Sequence, residues 1–202
     1  MSIKISYSKK NNNKGLSNLV LFSNDKFNLN NCKKYLLDSE FSYISDLLKT
    51  IDLKKNLFVF ELTSKKKIVL VSIKNNLKNS DIENLGAELF GRINYGKNSE
   101  YDVISDSIVV QNNNFLGHFL HGMKLKSYEF KKYKSKKETR NILINIVGNK
   151  NKPSEKNQLK FEALEAGTFY ARDLVSEPGN ILHPDEYAKR LNSLKKDGLK
   201  VN

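Results

Sequence analysis

Apolar and polar side chains alternate from Ile3 to Tyr7, the period-two pattern of a strand with one buried face. Beyond a polar stretch at 9–14, the short apolar run Leu19 to Phe22 reads as a second strand. Phe41, Ile44, Leu47, Leu48 and Ile51 recur at helical spacing, with Asp38 or Ser39 as the expected N-cap. Two runs rich in Val, Ile and Phe follow, Leu57 to Leu62 and Ile68 to Ile73. The polar connection Thr63 to Lys67 between them has hairpin length.

The pattern then returns to the helical period. Ser80 and Glu83 have capping-box spacing ahead of the stripe Ile82, Leu85, Leu89, Phe90 and Ile93. A strand is expected within Tyr101 to Val110, and a helix over 114–126 with Phe115, Leu116, Phe119, Leu120 and Met123 on one face. The strand Asn141 to Val147 closes this half. The polar segment Gly148 to Pro153 carries chain breakers and is the expected domain boundary, dividing the chain into 1–152 and 153–202.

A long helix is expected over about 155–176, with Ala163, Leu164, Gly167, Tyr170, Ala171, Leu174 and Val175 as its apolar stripe. The small residues Ala163, Gly167 and Ala171 leave room for another backbone. Pro178 and Gly179 oppose its continuation. A second helix starts at about Pro184, buries Tyr187, Leu191 and Leu194, and stops at Gly198. Leu199 to Val201 begins an alternating strand that needs neighbours for its backbone groups. The chain is therefore expected to stop at the threshold of a further domain. Mixed strands and helices predict an α/β fold, a mixed central sheet flanked by helices, followed by a linker helix and the start of a second α/β domain.

Composition adds limits. Hydrophobic residues make up 39% of the 202 residues, enough for a sizeable core once the ten glycines are added. No apolar run approaches the ~18 residues of a membrane span. The N-terminus lacks the apolar stretch and small-residue cleavage site of a secretory signal, and a cytoplasmic setting is expected. Cys32 is the single cysteine, which excludes an intrachain disulfide and a zinc cluster built on cysteines. The formal charge is +13, yet arginine is confined to Arg92, Arg140, Arg172 and Arg190. Lysine supplies the rest, alongside abundant asparagine, a pattern that compositional bias towards A-rich codons explains better than selected phosphate recognition.

Candidate chemistry is sparse. His118 and His121 stand three apart on a helix, but the wheel places both on the solvent side, and no third ligand lies near in sequence. His183 reads as a loop residue at a helix start. Lys131, Lys132, Lys134, Lys136 and Lys137 are interleaved with Tyr128, Phe130 and Tyr133, a pattern that either a nucleic-acid surface or a solvated loop can use. Arg172 and Asp173 are adjacent on a helix and so do not face one another; Arg172 is expected to hold the following loop or a neighbouring domain. The glycines are isolated, without a phosphate-cradling loop.

Residues 163–191 resemble the helix–loop–helix that opens the catalytic half of the leucyl aminopeptidase (M17) family. The matching core is Ala171, Arg172, Asp173, Leu174 and Val175, then Pro178, Asn180 and Pro184. Ser176 stands where the family usually has Asn, and Gly179 where it has Pro or Ala. Lys67 to Val71 with the helix at 80, and Gly122 to Lys137, resemble the family's N-terminal region, whose fold is similar to macro domains. The resemblance implies an accessory α/β domain joined to the start of a catalytic domain. In the complete enzymes, two divalent ions (Mn, Zn or Mg) activate water to remove N-terminal residues from peptides, and the assembly is a homo-hexamer. The family's Asn-Thr-Asp-Ala-Glu-Gly-Arg motif is absent from these residues. No catalytic, metal or cofactor residue is therefore carried over. The expectation is a non-catalytic portion whose partner is the missing catalytic domain; the alternative is a stand-alone nucleic-acid-binding domain using 131–137.

Overall fold

The computed structural model describes residues 2–8, 17–94, 98–109, 114–135 and 141–201, the side chains of Ser2 and Asn98 excepted. Among them, six strands form one sheet: β1 (Ser2–Ser8), β2 (Asn18–Asn24), β3 (Leu57–Thr63), β4 (Lys66–Ile73), β5 (Asn98–Ile104) and β6 (Asn141–Val147). Their order is β1-β6-β5-β2-β4-β3. Only the β3–β4 hairpin is antiparallel; every other neighbouring pair is parallel. The mixed sheet and its helices make this an α/β fold.

Leu19 to Phe22 are buried without a break because β2 is covered on both faces. Leu19 and Leu21 join Ile68 and Leu70 beneath Ile44 of α1 (Asp38–Thr50). Val20 and Phe22 join Val69 and Val71 under α2 (Asn79–Ile93) and α3 (Phe115–Lys126). The rings of Phe115 and Phe119 meet the Phe22 ring edge-on at 5.7 and 5.2 Å.

Helices α2 and α3 approach backbone to backbone. A Cβ on Gly86 would lie 1.9 Å from the Phe119 carbonyl oxygen, and one on Gly122 would lie 1.9 Å from that of Glu83. Each helix supplies the glycine that admits the other.

Both expected helix caps lie elsewhere. Helix α1 starts at Asp38 behind Leu37, whose N–H donates to the Glu40 carboxylate at 3.1 Å. Helix α2 starts at Asn79, and the Lys78 N–H donates to Asp81 at 3.2 Å. Ser80 and Glu83 therefore do not form the expected capping box: the acid three residues after the N-cap is Asp81, and Glu83 is drawn to His118 instead.

The segment 148–153 is held against the sheet. Asp106 Oδ1 accepts from the N–H groups of Asn149 and Lys150 at 2.8 and 2.7 Å. The Asn151 amide donates to the carbonyls of Ser105 and Ile108, both at 3.1 Å. Gly148 turns this corner with φ of 134°, where a Cβ would also collide with Ser105 and Asp106. Helix α4 (Glu155–Ser176) follows, capped by the Ser154 hydroxyl, which accepts from the Asn157 N–H at 3.3 Å.

Helix α5 (Pro184–Ser193) starts at Pro184 as expected, and Gly198 ends the following turn with φ of 83°. Tyr187 is exposed and Leu191 and Leu194 only half-buried, because nothing among the described residues covers that side of α5. Leu199 to Val201 are not in a strand, for the same lack of a neighbouring strand.

Candidate functional site

The chemistry of the chain gathers where α4 lies on α3 and turns into α5. The side of α3 that bears His118 and His121 faces this seam. Phe161 of α4 sits between the two imidazoles, its ring 5.0 Å from His118 and 5.1 Å from His121. Gly117 clears the space, since a Cβ there would lie 2.5 Å from the Phe161 ring. His118 Nδ1 is 2.8 Å from a Glu83 carboxylate oxygen, and His121 Nδ1 is 3.4 Å from Glu165. The expectation that both histidines face solvent is thus wrong: His121 is only 6% exposed. The wheel counted one apolar stripe, whereas α2 and α4 cover α3 from two directions.

The two histidines pair with different acids. Among the described residues, no three His, Cys, Asp or Glu side chains are grouped to hold a metal ion.

At the far end of the seam, the Arg172 guanidinium donates to the Leu125 carbonyl at 2.6 Å and lies over the Tyr128 ring at 5.5 Å. It closes the C-terminus of α3, whose last carbonyls have no partner within the helix. Asp173 accepts from the Tyr128 hydroxyl at 2.7 Å. The adjacent pair therefore works as two anchors rather than as an acid and base. Burial first, then the bond to Asp173, pushes the Tyr128 phenol above its ordinary value.

Glu177 is the electrostatic centre of the turn. Its side chain is 1% exposed, and it accepts from Lys132 Nζ at 2.5 Å, from the Tyr133 hydroxyl and from Arg190 at 3.0 Å. Lys132 first, then Tyr133, hold this carboxyl down at about 2. Arg190 also bonds Glu186 at 3.0 Å, while its backbone carbonyl accepts from the Tyr170 hydroxyl at 2.9 Å. These contacts tie the 128–135 segment, the end of α4 and α5 together. Glu177 escaped the sequence reading; the Glu186–Arg190 spacing of four was its one visible trace.

The basic segment is partly neutralised. Lys131 pairs with Glu129 at 2.5 Å and Lys132 with Glu177, while Lys136 and Lys137 lie outside the described residues. Within the motif, Pro178 offers its carbonyl to the N–H groups of Ile181 and Leu182, both at 2.9 Å, and Asn180 is exposed.

The opposite side of α4 is bare. Ala163, Leu164, Gly167, Ala171 and Val175 are all exposed, Leu164 by 47% and Val175 by 87%. A Cβ on Gly167 would meet nothing within 4 Å. Five of the seven stripe residues are thus uncovered, leaving Tyr170 and Leu174 half-buried. Phe161, Thr168, Phe169 and Arg172 face the seam instead.

No family model matches the chain. Among curated proteins, it is 32% identical over 143 residues to the probable cytosol aminopeptidase of Brucella suis biovar 1 (strain 1330), across 67% of this chain and 29% of that protein. The chain is a relative of the cytosol aminopeptidases. The probable cytosol aminopeptidase of Nitrobacter winogradskyi is 26% identical over 131 residues, across 62% of this chain and 26% of its own length. This aminopeptidase relative therefore spans less than a third of either protein.

Solved structures share its fold. A tomato leucine aminopeptidase mutant superposes with a TM-score of 0.69 at 18% identity, over 97% of this chain and 42% of its own. The bottromycin maturation enzyme BotP in complex with Mn gives 0.60 at 15% identity, over 91% and 37%. The cytosol aminopeptidase of Coxiella burnetii gives 0.62 at 13% identity, over 96% and 37%. No helix among the described residues is long and apolar enough to cross a membrane.

Proposed function

We propose that residues 1–152 are the accessory domain of a cytoplasmic aminopeptidase, and that 153–202 join it to a catalytic body which the bare side of α4 docks against. The observation that carries this reading is the uncovered stripe from Ala163 to Val175. It lies on a helix whose other side is fixed by Phe161, Arg172 and Glu177. A solvated helix gains nothing from exposing Leu164 and Val175 on its water-facing side, whereas a packed one buries them. The length of the relatives supplies the occupant, because each extends well beyond the matched portion.

In this reading the chain does no chemistry itself. It orients the helix that leads into a body where two divalent ions would activate water. Assembly into a homo-hexamer belongs to that complete enzyme.

The test has two arms. The 202-residue chain, assayed with a leucyl anilide in the presence of Mn²⁺ or Zn²⁺, is expected to release no leucine; measurable release overturns the non-catalytic reading. Added to a cytosol aminopeptidase catalytic portion expressed without its N-terminal region, the chain is expected to raise that portion's melting temperature. Val175→Asp should cancel the rise, and an equal rise with this variant overturns the docking surface.

A further inference from the structure

A cleft of about 520 Å³ opens between β1, α3 and α4, on the side of α4 away from the bare stripe. Its floor is apolar, formed by Ile3, Ile5, Leu120 and Phe161. Its polar wall carries Tyr7, His121, Glu162 and Glu165.

The strand bordering this cleft is an outer one, with β6 as its single neighbour among the described residues. The Gly148 N–H donates to the Ser8 carbonyl at 3.4 Å, extending the parallel ladder with β6. In such a ladder alternate residues pair inward, so Ile3, Ile5 and Tyr7 turn their backbone groups to the open edge. Lys124 Nζ confirms this by reaching the Ile3 carbonyl at 2.8 Å. Lys152 Nζ donates to Ser8 at the other end at 2.7 Å. Among the described residues nothing pairs with the outward groups of Ile5 and Tyr7 between them, which are open to a ligand.

Charge decides what kind. Glu162 is exposed and bonded to nothing among the described residues, and the single partner of Glu165 there is His121. Two lysines line the cleft: Lys124 is already spent on the Ile3 carbonyl, and strand alternation puts the Lys4 side chain on the opposite face of β1 from Ile3 and Ile5.

We propose that this cleft takes an extended peptide strand along β1 and seats one of its Lys or Arg side chains against Glu162 and Glu165. The backbone groups of Ile5 and Tyr7 select a polypeptide, as in strand addition to a sheet edge. The apolar floor receives the aliphatic stem of the basic residue, and the two carboxylates receive its head. Burial, then the charges of Glu162 and Glu165, push the Tyr7 phenol up to about 12, so its hydroxyl keeps a proton beside those acids. A bound cation lowers that value again.

The experiment follows amide and imidazole resonances of the 202-residue chain during titration with the blocked peptide Ac-Val-Thr-Arg-Thr-Val-NH₂. The same peptide with Glu in place of Arg, and agmatine, are the other two arms. The Arg peptide is expected to shift the amides of Ile5 and Tyr7 and the ring of His121. It should bind about tenfold more tightly than the Glu peptide, the factor one charged hydrogen bond supplies. Glu162→Gln should remove most of that preference; this side chain is exposed, so the fold is kept. Tyr7 should also ionise at lower pH in the bound state. Equal binding of the two peptides, or unmoved Ile5 and Tyr7 amides, overturns the proposal. Agmatine binding as tightly as the Arg peptide overturns the peptide assignment in favour of a free amine. These outcomes do not depend on the bare side of α4, so this proposal and the docking reading fail separately.

Discussion

The Arg172 guanidinium donates to the Leu125 carbonyl at 2.6 Å, so a residue of α4 closes the end of α3. Two expectations for Arg172 stood open, a following loop and a neighbouring domain, and the structure shows a third: an adjacent helix terminus. Arg172→Ala leaves those carbonyls without their charged donor and uncovers the Tyr128 ring. The expected loss is about 1.5 kcal/mol, the lower end for a hydrogen bond to a charged group. Urea denaturation of the 202-residue chain measures it, and an unchanged midpoint would contradict the cap.

Glu177 makes the α4–α5 turn sensitive to acid. Its folded value of about 2 lies below the ordinary 4.5, so its contribution is fully present above about 4.5. That contribution is lost as pH falls from there towards 2. Resonances of Arg190 and Tyr170 should shift across this window while those of the sheet stay in place. Glu177→Gln should show the shifted positions already at neutral pH.

The α2–α3 contact tolerates no added methyl group. Gly86→Ala and Gly122→Ala each drive a Cβ into a backbone oxygen, which cannot rotate away as a side chain can. Each should cost about 3 kcal/mol by overpacking, read from thermal or urea unfolding. Gly167→Ala, where the Cβ meets nothing, serves as the control and should stabilise α4 slightly through helix propensity.

Cys32 is buried and its thiol approaches the Phe22 carbonyl at 3.4 Å. Burial pushes it up to about 11, so the thiolate is scarce at pH 8. A disulfide reagent such as Ellman's should react with the native chain at pH 8 only at the rate of unfolding, and at once in guanidinium. Fast reaction with the native chain would contradict the burial of Cys32.

Much of the architecture was legible one element at a time. The period-two run at Ile3 to Tyr7 became β1, and the bounds of α4 and β6 coincide with those expected from breakers and periodicity. The motif from Ala171 to Pro184 pointed to the relatives that similarity over 143 residues then supported. Details went astray where a side chain had a better partner far along the chain. Glu83 abandons the helix start for His118, 35 residues on, and Glu177 draws Lys132 and Tyr133 from about 45 residues before it. Local spacing carries no record of such pairs, because they exist only once elements distant in sequence have packed together.

The sequence by itself determined most of the strands and helices, since side-chain period and backbone breakers act within a few residues, but not the end at Leu199 to Val201, where a strand needs a neighbour. It also pointed to the cytosol aminopeptidases as relatives, through a run of residues too specific to arise from composition. Tertiary structure decided which sides of α3 and α4 are covered. An imidazole on α3 is buried or exposed according to what lies above it, and Phe161 lies above both histidines. The apolar stripe of α4 was visible in the sequence, but its exposure was not: burial depends on the neighbours a chain folds against.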